Sequence, residues 1–460
     1  MKPSFTKSWT VILTLLALTF SAIGVIPAHA AGIVINSLLD ATAVDGNCTL
    51  REAIQNANNN VATNADCVAG SGADTITFSV SGAITLGSAL PSIGDATGLA
   101  MDGTGQTVTI SGNNAVRVMV IDVGASLTLN NLTIANGNEA NGGGIFNNGM
   151  LTITNSAFSG NSVTGMGGGI FNNGTLTITN STFSGNSAGS GGGIYIGGGT
   201  ATITNSTFSG NSAGGDGGGI INYDTLTITN STFSGNSATT GGSINKFFGA
   251  TTILRNTIVA NSTGGNCGGG GAITNGGNNI DDAATCGWDS TDGSMSSTDP
   301  LLGALANNGG PTQTFALLTG SPAIDGVTFN APNSAPATDQ RGIARPQGAL
   351  YDIGSYEADA IPPDTTIDST PPDPSNDITP TFTFSGDDGT GSGVASFMCQ
   401  MDSGGYSACA APFTSSALLD GSHTFYVYAI DNAGNADASP ASYTWTITIV
   451  FNLFLPLILR

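Results

Sequence analysis

Cleavage or transfer chemistry on a polymer needs ionisable side chains gathered in pairs, and this 460-residue chain is poor in them. Only 9% of its residues are charged, 31 Asp and Glu against 9 Lys and Arg. Between Gly142 and Ala250 the sole carboxylates are Asp216 and Asp224 and the sole base is Lys246. Residues so few and so scattered do not supply the two carboxylates, or the carboxylates with a metal, that break a glycosidic bond. Asp102 and Asp122 lie earlier in the chain, beyond the adjacent pair Arg51-Glu52, and a denser set, Asp325, Asp339, Arg341, Arg345, Asp352 and Glu357, lies later. Arg51 and Glu52 read as a salt-linked helix cap. The later set reads as a charge-assisted network that locks the top of a rod. Of the two histidines, His29 falls in an apolar leader, and His423 starts an alternating, strand-like run. Six cysteines form three sequence-local pairs, Cys48/Cys67, Cys267/Cys286 and Cys399/Cys409. In an exported chain these are expected to be disulfides, with the pairing resting on proximity alone. No C-x-x-C spacing or nearby histidine points to a metal. A formal charge of −22 excludes a nucleic-acid footprint by its sign.

The elements that would position these residues come from a repeat. Phe158, Phe183, Phe208 and Phe233, followed by Ile258, recur every 25 positions, as do Asn161, Asn186, Asn211 and Asn236, followed by Asn261. Each unit reads GGGI, then TLTIT, then NSTFSGNS, with no helical period. Short β-rich stretches separated by Gly and Asn corners, at one fixed spacing, specify a solenoid. Alternation turns Leu and Ile inward and Thr outward, so stacking makes ladders of like residues. Ile145, Ile170, Ile194, Ile220 and Ile244 form one inner stack and the Phe series another. The Asn series falls at a corner where side-chain amides bond from coil to coil. Strands stacked about 4.8 Å apart give roughly eight or nine coils and a rod on the order of 40 Å.

Around this rod the expected layout is an export leader at 1–30, a helical N-terminal cap at 31–70, a parallel β-helix over 71–298, a continuation over 299–360, a Pro-rich linker at 361–374, a small β-sandwich at 375–448 and an apolar tail at 449–460. The leader has Lys2 and Lys7, an apolar run from Val11 to Ile26, and Ala28-His29-Ala30 as a cleavage site. In the cap, Thr49 and Glu52 form a capping box, and Leu50, Ala53, Ile54 and Ala57 share one face. The tail, broken by Asn452 and Pro456, is too short to span a bilayer and reads as a sorting signal, with an extra strand packed on the sandwich as the alternative. No transmembrane span is expected in the mature chain.

Several of these words resemble known families. The GGGI and FSGN elements are similar to the paired repeats of polymorphic outer membrane proteins, which are surface-exposed β-solenoid adhesins. Cys48-Thr49-Leu50-Arg51-Glu52-Ala53-Ile54 resembles the CSLREA motif that opens bacterial exported β-helix proteins. Asp299-Pro300-Leu301-Leu302, Gly320-Ser321-Pro322-Ala323-Ile324-Asp325, Asp339-Gln340-Arg341-Gly342 and Asp352-Ile353-Gly354-Ser355-Tyr356-Glu357 resemble the choice-of-anchor Q domain. The end of the chain, with its runs FMCQMDSGGYSAC and LLDGSHTFYVYAIDNAGN, is similar to a bacterial immunoglobulin-like module. Together these resemblances imply an all-β chain: a right-handed parallel β-helix of about 25 residues per coil followed by a small Ig-like sandwich.

The expected function is that of an exported bacterial protein, secreted or held at the cell surface. It would be a monomeric adhesin-type scaffold contacting polysaccharide or cell-envelope components, with no catalytic residue and no cofactor. Two alternatives stand beside it. The same scaffold carries polysaccharide lyases and glycoside hydrolases of the pectin-lyase-like fold. A flat outward array, Thr152, Thr177, Thr202, Thr227 and Thr252 beside Thr154, Thr179, Thr204 and Thr229, resembles ice-binding solenoids.

Overall fold

The computed structural model describes residues 32–329, 335–389 and 391–449. The expected leader at 1–30, and all but the first residue of the expected tail at 449–460, lie outside them.

Leu, Ile and Phe at alternate positions of short strands build a parallel β-solenoid of about 8 turns with about 25 residues per turn. Seven turns, between Leu99 and Gly269, supply one strand to each of three sheets. The first sheet has ten strands, from Gly32–Ile35 to Thr274–Asn275; the second has ten, from Gly82–Thr85 to Met295–Ser296; the third has seven, from Met119–Ile121 to Cys267–Gly269. Register is kept by parity, because a one-residue slip would turn every inward side chain to water. Thus Leu151 pairs with Leu176 and Ile153 with Ile178, all buried. Ile145, Ile170, Ile194, Ile220 and Ile244 follow one another in the third sheet, each fully buried.

The corners are set by residues that accept unusual backbone geometry or close approach. Asn155, Asn180, Asn205 and Asn230 occupy left-handed φ between 46° and 51°, a region that Asn tolerates better than most residues. In the GGGI corner only the first glycine has positive φ, as at Gly167 (71°). The third is needed for space: a Cβ on Gly169 would lie 2.6 Å from the Gly193 carbonyl oxygen of the next turn.

The 25-residue step breaks after Lys246. Lys246 and Thr251 pair with Asn222 and Thr225, so a four-residue loop, 247–250, replaces the two residues 223–224. Three expectations shift with it. Phe233 is followed in its stack by Val259, not Ile258. Thr252 pairs with Leu226 and is fully buried, so it leaves the outward Thr row, where Ile253 follows Thr227. Asn261 stands on the left-handed corner (φ 56°) that Gly235 holds one turn earlier, and it is not part of the buried Asn row.

The helix Leu50–Asn59 closes one end of the rod. Thr49 accepts from the Glu52 backbone while the Glu52 carboxylate accepts from the Thr49 N–H, a capping box. Leu50, Ala53, Ile54 and Ala57 are buried in the solenoid core. Arg51 grips Asp40 through two hydrogen bonds, 2.8 and 3.0 Å, and donates to the Ser88 and Ala89 carbonyls, which ties the cap to the first turns.

Beyond the last turn the chain does not continue the solenoid. Leu302–Ala306 and Thr314–Leu317 pair antiparallel. A strap then runs along the flank of the rod. Thr182, Thr207 and Thr232, successive outward positions of the second sheet, bond to Gln313, Gln340 and Ser355 respectively. The stretch 361–374 is no linker: Asp364–Ser369 is a strand paired antiparallel with Thr381–Asp387. That three-stranded sheet and a four-stranded antiparallel sheet share a core of Phe382, Phe384, Phe425, Val427 and Trp445. Three disulfides join Cys48 to Cys67, Cys267 to Cys286 and Cys399 to Cys409.

Candidate functional site

Three outer surfaces of the rod can meet a partner. On the first sheet the Thr pairs 152/154, 177/179, 202/204 and 227/229 stand in register over four turns. They are flanked by Thr128 and Asn130 on one side and by Ile253 and Arg255 on the other. The face is flat, hydroxylated and uncharged until Arg255.

The third sheet carries a stripe that the sequence reading missed. Phe146, Phe171, Tyr195, Tyr223 and Phe247 stack in turn with centroids 4.7, 5.1, 5.2 and 4.4 Å apart. The guanidinium of Arg117 covers the Phe146 ring at 5.1 Å. A signal was present: the first three rings each follow the inward Ile of their strand by one residue, which turns them outward. Tyr223 and Phe247 follow theirs by three, which hid the row. The rings cover each other's faces, so the stripe offers edges along its length and an open approach where Phe247 and Phe248 are 50% and 82% exposed. Burial, with Tyr223 adding to it, pushes the Tyr195 hydroxyl up to about 12, so it stays neutral.

The third surface is a cleft of about 470 Å³ between the second sheet and the strap. Thr104, Gln106, Asn131, Thr133, Asn155 and Pro311 line it among others. None of its lining residues is ionisable.

The charged residues gather elsewhere. Arg345 and Glu357 pair at 2.7 Å with both side chains wholly buried, and Arg341 pairs with Asp339 at 2.7 Å while lying 3.5 Å over the Tyr356 ring. Asp325 accepts from the Leu350 N–H, and Asp352 accepts from the backbone of Asp325 and Ala358. Glu357 accepts from Gln347 and Asp352. Burial first, and then repulsion from Glu357, raise Asp352 to about 8; burial also raises Glu357. Their oxygens are taken up by donors of the strap itself, so the set is a clasp. It does not lie at the top of the rod as expected: it holds the strap to the flank, where Gly354 N–H donates to the Asn256 carbonyl.

The buried Phe and Asn rows run through the same turns. Phe158, Phe183, Phe208 and Phe233 stack 4.4–4.8 Å apart and within 6° of parallel. Asn161, Asn186, Asn211 and Asn236 bond amide to amide, each link 2.9 Å. Asp102 and Asp122 do not converge. Asp102 pairs with Asn130 at the far end of a first-sheet strand, whereas Asp122 precedes the start of that strand and accepts from Ser92. Asp224 accepts from the Gly199 backbone and Asp216 bridges to Thr240 at another corner. His423 pairs with Asp402 at 2.8 Å in the C-terminal sheet. Among the described residues no helix is long and apolar enough to cross a membrane.

Compared with family models, curated proteins and solved structures, the chain has no match.

Proposed function

We propose that this chain is an exported, surface-displayed binding scaffold that contacts neutral glycans or related cell-envelope polymers without transforming them. The observation that carries the reading is the cleft beside the strap, whose wall is made of amides, hydroxyls and apolar atoms with no ionisable group. Such a wall suits the alternating hydroxyl and C–H surfaces of sugars and supplies no general acid or base. Three disulfides fit an oxidising compartment. The likeness of the repeats to polymorphic outer membrane proteins, of the cap to CSLREA proteins, of the strap to choice-of-anchor Q domains and of the last sheets to an Ig-like module belongs to the same proposal, as does a right-handed coil.

The test is a glycan array probed with the full chain beside a polysaccharide-degradation assay. Binding to a neutral glycan should be lost in Thr133→Lys, which sets a long cation in the cleft. New reducing ends or unsaturated products from any polysaccharide would overturn the reading in favour of an enzyme. A second reading, ice binding, is favoured by the four-turn Thr array; thermal hysteresis no greater than that of an inert protein would end it.

A further inference from the structure

Where the strap meets the C-terminal sheets, three carboxylates from three segments converge. Asp359 ends the strap, Asp388 lies in the loop after Thr381–Asp387, and Asp431 closes the strand Gly421–Asp431. One carboxylate oxygen from each lies within 4.8 Å of the others. Among the described residues no Lys, Arg or His pairs with any of the three. Asp388 is 6% exposed and Asp431 2%. A second observation is independent of the clustering. Asp388 Oδ2 accepts from Gly393 N–H at 2.6 Å, but its buried Oδ1 has no hydrogen-bond partner. That carboxylate lies with the other two, one oxygen of each being within 4.8 Å of the others. Buried carboxylates with a free oxygen and no counter-charge are costly unless a cation joins them.

We propose that Asp359, Asp388 and Asp431 bind a Ca²⁺ ion that pins the C-terminal antiparallel sheets to the strap. All three donors are hard oxygens, and neither histidine nor thiolate is present, which points away from zinc. Ca²⁺ accepts six to eight oxygens in flexible geometry, whereas Mg²⁺ demands a near-octahedral shell and keeps most of its water, so three carboxylates drawn from separate segments suit calcium better. The joint is already tied by direct bonds, since Ser392 N–H donates to the Asp359 carboxylate and the Asn435 amide to the Asp359 carbonyl. The ion would add a link between segments that the backbone joins only through a turn, and it would remove the mutual repulsion.

The probe is Ca²⁺ itself, titrated calorimetrically into chelator-treated full-length protein, with thermal melting at each concentration and Mg²⁺ as the comparison. One ion should bind with a Kd on the order of 10⁻⁴–10⁻³ M, the range of extracellular modules, and raise the melting temperature of the C-terminal sheets. Asp431→Asn should weaken binding at least tenfold. Asp388→Asn should lose the calcium response yet melt no earlier than the calcium-free parent, because it removes a buried, repelled charge; this separates lost binding from failed folding, and Asp359→Asn gives a third, less buried variant. No saturable binding up to roughly 10 mM, tenfold beyond the weakest such sites, an equal response to Mg²⁺, or an undiminished response in Asp388→Asn would each overturn the proposal.

Discussion

Asn211 shows how much a single amide can hold in a stacked fold. It is fully buried, and its side chain makes four hydrogen bonds across two interfaces. Its Oδ1 accepts from the Asn186 backbone N–H at 3.1 Å and from the Asn186 amide at 2.9 Å. Its Nδ2 donates to the Phe183 carbonyl at 2.9 Å and to Asn236 Oδ1 at 2.9 Å. Asn211→Ala therefore strands the buried Asn186 N–H, takes one donor from the Phe183 carbonyl, and removes one of the four hydrogen bonds of the Asn186 side chain and one of the three of Asn236. At about 1–3 kcal/mol for the orphaned N–H and about 1 kcal/mol for the lost bond to the carbonyl, the loss should reach about 2–4 kcal/mol, with the partly satisfied amides adding little. Asn211→Asp should be worse: it keeps the acceptor but turns a carboxylate oxygen toward the Phe183 carbonyl and Asn236 Oδ1, and it buries a charge. The assay is urea denaturation followed by far-UV circular dichroism, with fluorescence in a Trp9→Phe, Trp288→Phe background, where Trp445 is the remaining tryptophan, marking the C-terminal sheets as an internal reference. An Ala variant that loses less than about 1 kcal/mol, or an Asp variant no weaker than Ala, would refute the claim that the amide row serves buried backbone.

Phe208→Ala should cost about 3–5 kcal/mol, since the ring is fully buried and stacked on both sides; an unchanged denaturation midpoint would put the ring outside the core. With Phe183→Ala the double variant should show a coupling of about 0.5–1.5 kcal/mol, measured as a double-mutant cycle. Asp352 has a folded pKa near 8, raised above its unfolded value, so the clasp is most stable below the ordinary carboxylate range and weakens as pH rises to about 8. The melting temperature should fall over that window, and the fall should shrink in Asp352→Asn; an identical pH profile in the variant would refute the assignment. Burial lowers His423, but its hydrogen bonds to Asp402 and Leu419 raise it overall, so it contributes a loss in the same direction that the Asp352 variant leaves in place. Deleting 450–460, outside the described residues, should release the protein from the cell envelope to the medium without changing its melting temperature if the tail is a sorting signal.

The sequence by itself determined the coil. A strict 25-residue period with alternation of Leu, Ile and Thr sets which residues face inward, because side chains on a strand alternate sides and a parallel stack places like on like. The capping box at Thr49 and Glu52 was legible for the same reason: the partners are three residues apart. Parity failed where length changed. The longer loop at 247–250 moved Thr252 into the core and Asn261 to a glycine corner, and a fixed step cannot foresee where an insertion is absorbed. What only the tertiary structure decided joins residues far apart in the chain. Thr207 meets Gln340 and Ser355 at separations of 133 and 148 residues, so a strap that reads as the rod's continuation lies on its flank. The aromatic stripe passes from strand residues to Tyr223 and Phe247 just beyond the strand ends, and the Asp359, Asp388 and Asp431 cluster comes from three segments, so neither has a period or spacing to read. Local patterns report the contacts a strand makes with its own repeat, whereas the clefts and charge clusters form where non-repeating segments fold back, and their partners are set by chain path.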